Sequence, residues 1–221
     1  MEDKKSYDLR FLHMRFIGKI IAGFTHEIKN YIAIIKESAG LIEDMIKLGN
    51  ASKSDPDQYV EIIRSIEEQI EKTNSLFRYL NRFAHRMDNE LSAFNVNESL
   101  EELIALLTRI ANQKKISLEK DFQHDIPSIT SSPSMLQFLV FHFLEENIAR
   151  LDKNSRLIVK TAPLKNSIEV RIIPKGNFLT MEMEKEKIPD EILNNVIRQL
   201  GGSISHGSEE DTIITLPAAS T

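Results

Sequence analysis

Residues 22–42 read AGFTHEIKNYIAIIKESAGLI and carry one histidine, His26, followed by Glu27, Lys29 and Asn30. An imidazole ordinarily titrates near pH 6.5, so close to neutrality one ring nitrogen is free to act as a nucleophile. A carboxylate at the next position can accept or orient the proton on the other nitrogen. That fixes the tautomer and supports attack on a phosphoryl group. Lys29 is placed to screen the incoming charge. Asn30, about one turn on, is placed to hydrogen-bond a phosphoryl oxygen or a water. The stretch is not a zinc helix, because HEIKN lacks the second histidine of a His-Glu-x-x-His pattern. A surface histidine beside a glutamate is in itself an ordinary feature of wet helix faces.

The element that carries these residues must be long. Apolar residues recur at helical spacing over 6–48, from Leu9, Leu12 and Phe16 to Ile42, Met45 and Ile46, which predicts a helix of bundle or coiled-coil length. With Phe24 at zero on a helical wheel, Ile17, Ile20, Ile21, Ile28, Ile35 and Ile42 fall within roughly 60° of it, and His26 lies at about 200°. His26 is therefore expected on the wet side. Gly18, Lys19, Ala22, Gly23 and Lys29 are expected around it as a surface that meets a partner. Two glycines inside a helix each cost about 1 kcal/mol against alanine, a cost that makes sense where another protein's backbone comes close.

GNASKSDPD, 49–57, predicts a turn, with Asp55 as N-cap and Pro56 at the first helical position. A second helix is expected over about 56–88. The two form an antiparallel hairpin that buries little alone. Pairing with a second copy gives a four-helix bundle; packing against the rest of the same chain is the alternative.

After residue 92 helices and strands alternate. A helix is expected from FNVNESLEELIALLTRIANQKK, capped by Asn95 or Asn97, and a nearly all-apolar buried one from SSPSMLQFLVFHFLEENIARL. A third, IPDEILNNVIRQL, should end at Gly201 and Gly202. ISLEKDF, RLIVKTA, SIEVRIIP, SISH and TIITL read as strands. The chain is thus of the α+β class, with a helical hairpin over 1–90 and, over 91–221, an α/β sandwich of one mixed sheet with helices on one face.

Composition narrows the chemistry. The 221 residues include no cysteine, which excludes disulfides and thiolate sites, and the net charge of −5 gives no global attraction to nucleic acid. MEDKKSYDLR has no apolar signal core, and no run approaches the roughly 18 apolar residues of a membrane span, so a cytoplasmic protein is expected.

FTHEIKNYIAIIKESAGLI resembles the phospho-accepting box of two-component sensor histidine kinases. His26, Glu27, Ile28, Lys29 and Asn30 match in order, and Tyr31 stands where that family usually has proline. The resemblance implies that His26 is the phospho-acceptor, Glu27 its acid–base partner, and Asn30 the position that tunes transfer. It also implies that the helix runs undistorted past Tyr31. LGGSISHGSEEDTIITLP looks like the last hairpin of the family's ATP-binding domain. The nucleotide motifs depart from the pattern. Phe141 and Glu145 align with the asparagine pair that holds magnesium and phosphates, with Asn147 displaced. Pro174 replaces the adenine-binding aspartate, Phe178 replaces one glycine of the pair while Gly176 remains, and the glycine-rich lid is missing. A proline offers adenine no acceptor, and without glycines a backbone cannot come close to a triphosphate.

The resemblance, so modified, implies a histidine phosphotransferase. It would be a homodimer that passes phosphoryl groups between His26 and aspartates of response-regulator receiver domains. It would use no cofactor of its own, with magnesium supplied by the receiver, and bind neither nucleic acid nor membrane. Two other readings stand beside it: a non-catalytic pseudo-kinase that binds a receiver or a kinase, and an ATP-dependent kinase with a divergent nucleotide site.

Overall fold

The computed structural model describes residues 9–47, 56–179, 188–207 and 210–218. The first connecting turn with its Asp55 cap, and the charged MEMEKEK run over 181–187, lie outside them. Helix α1 spans Leu9–Lys47 and α2 spans Pro56–His85. Helix α1 passes Tyr31 without a break, because no proline removes a backbone donor there. The two helices pack along their length, with the Phe24 and Phe77 rings edge to face at 5.1 Å.

The chain then enters a short pairing of β1, Ser92–Phe94, with β3, Ile129–Ser131, which the sequence pattern did not announce. Three residues carry too little alternation to be read as a strand. Helix α3, Val96–Gln113, starts where the Asn95 side chain accepts from the Glu98 backbone N–H at 3.3 Å. Asn97 is engaged differently, donating to the Gln123 carbonyl and accepting from the Thr161 hydroxyl, both at 2.7 Å. Of the two expected caps, Asn95 is the one that acts.

Helix α4, Pro133–Arg150, and α5, Asp190–Gln199, complete the helical layer. The sheet order is β2-β4-β5-β7-β6, where β2 is Ser117–Phe122, β4 Arg156–Pro163, β5 Ser167–Lys175, β6 Ser203–His206 and β7 Thr212–Pro217. Strand β2 runs parallel to β4 and every other pairing is antiparallel, a mixed sheet. Leu157, Val159, Ile168, Val170, Ile172, Ile214 and Leu216 are fully buried on one face, where α3, α4 and α5 cover it. Gly201 takes a φ of +71° just past α5, the left-handed turn expected at a helix C-terminus. A side chain at Gly202 would meet the Thr215 carbonyl at 2.3 Å, so only glycine lets β6 reach β7 there.

The hairpin and the sandwich share one core. Phe16 of α1 is 1% exposed and touches Phe83 of α2 and both Phe138 and Phe141 of α4, with ring centroids 4.7 Å apart for the Phe141 pair. A buried polar anchor lies beside it: Arg86, just past α2, reaches the Glu102 carboxylate of α3 with Nε and Nη2 at 3.1 and 2.9 Å. Gln137 Nε2 also donates to Glu102. Of the two fates foreseen for the hairpin, packing on its own chain therefore takes up one side of it.

Candidate functional site

The wheel angle that put His26 on the wet side of α1 holds in three dimensions. The imidazole is exposed and makes no hydrogen bond or ion pair with another described residue. Ala22, Lys29 and Asn30 are exposed around it. Lys29 Nζ and the amide of Asn30 can therefore reach a group that approaches the ring, although Asn30 also lies 3.5 Å from Glu27 Oε2.

Two residues expected on that surface sit elsewhere. Gly23 is buried: its missing Cβ would lie 3.8 Å from Ile110 and from the Leu106 carbonyl of α3. Its wheel angle, about 100° from Phe24, turns it toward the sandwich, so the surface it meets belongs to the same chain, at ordinary contact distance. Lys19 is half-buried and pairs with Glu145 of α4 while lying 5.8 Å above the Phe141 ring. Ile21, counted in the buried stripe, is 49% exposed.

Glu27 is next to His26 in sequence but not in direction. Adjacent helix positions diverge by about 100°, and this side chain points to α3. Arg109 Nη1 donates to Glu27 Oε2 at 3.0 Å, with the two side chains 13% and 24% exposed. Tyr31, one turn later, gives Glu27 its hydroxyl. Burial first, and then that bond and the nearby negative charge, push the phenol up to about 12. Arg109 is the functional neighbour that the sequence did not reveal. It lies 82 residues away, in a stretch whose apolar rhythm marks a core helix and nothing more. Glu27, Tyr31 and Arg109 also line a cleft of about 390 Å³ between α1, α2 and α3.

The positions that resemble a nucleotide site are occupied by packing. Phe141 is in the aromatic core, Glu145 is paired with Lys19, and Asn147 uses its Nδ2 on the Phe143 carbonyl of its own helix. Pro174 is a buried β5 residue opposite Leu157. Gly176 has a φ of +148° and lies so close to Ser155 that a Cβ would sit 2.2 Å from its Oγ. Beyond it, the Asp152 N–H donates to the Asn177 carbonyl and the Leu179 N–H to the Arg150 carbonyl, and the Arg150 guanidinium lies 4.8 Å from the Phe178 ring. The chain after β5 is thus fastened to the end of α4.

Known proteins share this architecture. Over 205 residues, 90% of the chain, it is 22% identical to the cell-division control histidine kinase PdhS of Brucella anthropi. The sensor histidine kinase ZraS of Escherichia coli is 18% identical over 207 residues. Among solved structures, the catalytic domain of the histidine kinase ThkA superposes on 58% of the chain and 98% of its own, with a TM-score of 0.51 and 14% identity. The chain has the fold of a two-component histidine kinase core. It spans 19% of the length of PdhS and 43% of that of ZraS. No protein-family model matches it. Within this fold the helical layer of the ATPase-like sandwich is α3 to α5. No described helix is long and apolar enough to cross a membrane.

Proposed function

We propose that this histidine kinase core acts as a histidine phosphotransferase, passing phosphoryl groups between His26 and aspartates of response-regulator receiver domains. The observation that carries the reading is the exposed imidazole of His26, unpartnered among the described residues, within the HEIKN match on α1. A lone pair of one ring nitrogen forms a P–N bond to the phosphorus of an aspartyl phosphate. The P–O bond to the aspartate breaks, and the carboxylate leaves with the bonding pair. The other nitrogen holds its proton through the attack and releases it to water or a carboxylate afterwards. Lys29 screens the phosphoryl charge, and Asn30 offers it a donor. The reverse step returns the group to a second receiver. The receiver is expected to carry its own magnesium.

The residues where a nucleotide would bind support leaving ATP out of the reaction. Proline at 174 offers adenine no acceptor. Phe141 and Glu145 are engaged with α1, and Gly176 lies against Ser155. They do not fit an adenine nucleotide with its metal.

A homodimer is part of the proposal. Ile21, Ile32, Ile63, Ile70 and Phe77 are large, apolar and exposed along the hairpin. On α1 these face about 130° away from His26, so a second copy can cover them and leave the ring free. Charged substitutions at Ile32 and Ile63 together should halve the mass seen by light scattering.

The deciding experiment incubates the protein with a pre-phosphorylated receiver and measures acid-labile phosphate. The wild type should acquire it and His26→Ala should not. Label on both, or on neither, overturns the reading.

A further inference from the structure

The acceptor helix and the sandwich meet one turn from His26, and the contact involves the residue beside it. Gly23 packs on α3, where a Cβ would sit in ordinary contact with Ile110 and the Leu106 carbonyl, 3.8 Å from each. One turn on, the same packing brings Arg109 to Glu27 at 3.0 Å. The glycine and the ion pair are two parts of one docking contact.

The Glu27 carboxylate has a candidate partner on each of two sides of α1. Outward is the imidazole of His26; inward is Arg109. The directions differ by about 100°, so the side chain cannot serve both. The inward pair is largely shielded from water, where attraction between charges is screened least. An exposed ring competes at a disadvantage. We propose that Arg109 is a positioning residue of the acceptor site: it holds Glu27 on the α3 side, off the imidazole, so that docking of the sandwich sets how readily His26 takes a phosphoryl group. This rests on the phosphotransferase reading and extends it. The sandwich thereby keeps a part in the reaction without binding nucleotide.

The surroundings let the pair open. It lines the cleft of about 390 Å³ together with Tyr79 and Thr108, so Glu27 can leave Arg109 without unpacking the core. The other charged groups on the cleft wall are Glu68, Glu71 and Lys72 of α2, and Lys72 lies 2.7 Å from Glu68. Lys29 is the cation on the outer side, and Tyr31 and Asn30 are the remaining neighbours of the carboxylate.

The test uses the full chain and two readouts. In Arg109→Gln the freed Glu27 should accept the proton of one ring nitrogen. The 15N resonances of the His26 side chain should then move toward a single tautomer, and phosphoryl uptake from a pre-phosphorylated receiver should rise about three- to tenfold. Arg109→Lys should stay near the wild type on both. Glu27→Asp, one methylene short of Arg109, should give the same tautomer shift while leaving α3 untouched, which keeps the test open if Arg109→Gln does not fold. In the Glu27→Gln background, Arg109→Gln should change neither readout. A wild-type tautomer balance in Arg109→Gln and Glu27→Asp, or an effect that survives in Glu27→Gln, overturns the proposal. The tautomer is read with no phosphoryl donor present. A wild type that takes up no phosphate therefore overturns the phosphotransferase reading alone.

Discussion

Two helix faces in this molecule resemble reactive surfaces of the same family, and they have met opposite fates. On α1 the residues of the match are present and His26 is exposed, without a partner among the described residues. On α4 the aligned positions are Phe141 and Glu145, and both are turned into α1. A helix face turned to a neighbouring helix gains by carrying apolar groups. Once Phe141 sits in the core, the two halves of the chain depend on it for packing. The lesson is that two faces of like position in a fold can differ in what covers them, one meeting solvent and the other a neighbouring helix.

The sharpest way to break this contrast is at its reactive end. His26→Ala should lose acid-labile phosphate completely while its thermal midpoint stays near that of the wild type, because an exposed side chain without partners contributes within about 0.5 kcal/mol. A variant that unfolded would show that the ring has a packing role, and the two faces would no longer differ in kind.

The next largest effect lies at the other face. Phe141→Asn restores the residue type that the resemblance calls for. It should destabilise the protein by about 3–5 kcal/mol, since it removes a buried ring and leaves an amide among Phe16 and Phe138. It should not create binding of a fluorescent ATP analogue, since Pro174 and the Gly176 contact remain. Urea titration and fluorescence anisotropy measure the two. Nucleotide binding with unchanged stability would show that the α4 face is a dormant site and not a packing surface.

A third measurement asks whether the halves are held by more than the aromatic cluster. Glu102 is 1% exposed and Arg86 is its ion-pair partner, with the guanidinium held above its ordinary value chiefly by that hydrogen bond. Arg86→Met leaves a buried charge with only Gln137 to answer it, and should cost about 3 kcal/mol in urea unfolding. A loss below about 0.5 kcal/mol would mean the aromatic cluster docks the sandwich alone.

The sequence spoke most clearly where the physics is local. Both long helices, the α5 stop at Gly201–Gly202 and the five strands of the main sheet followed from periodicity and turn chemistry, and the exposure of His26 followed from its angle on α1. What could not be read is which side of an apolar stripe meets the chain itself and which is left over. Ile20 and Ile21 are neighbours in the same stripe, yet Ile20 is fully buried and Ile21 is 49% exposed. Periodicity gives a direction around a helix, not the identity of the surface that will cover it. Gly23 was misplaced for that reason. Arg109 was missed because its partner is 82 residues away and no spacing rule connects them.

The smallest effect belongs to two buried histidines, His13 on α1 and His142 on α4. His13 packs between Phe16 and Phe138, with Nε2 buried and without a described partner. Burial holds it below the ordinary 6.5, and a hydrogen bond to the Ser134 backbone offsets part of that. His142 on α4 is lowered in the same way, with Glu146 and Glu145 opposing the shift and Lys19 adding to it. Well above pH 6.5 both rings are neutral in the folded and unfolded chain and stability does not depend on them. As pH falls through 6.5 the unfolded chain binds protons that the folded one resists. Stability then falls, and the loss stops growing below the folded values. No single ring can contribute more than about 1.4 kcal/mol per pH unit, and partial solvent contact keeps each short of that. Between pH 7.5 and 5.5 the melting temperature should therefore drop in the wild type, drop less in His13→Leu and less in His142→Leu. A slope that stayed as steep in both His13→Leu and His142→Leu would show that neither ring is held below its ordinary value by burial.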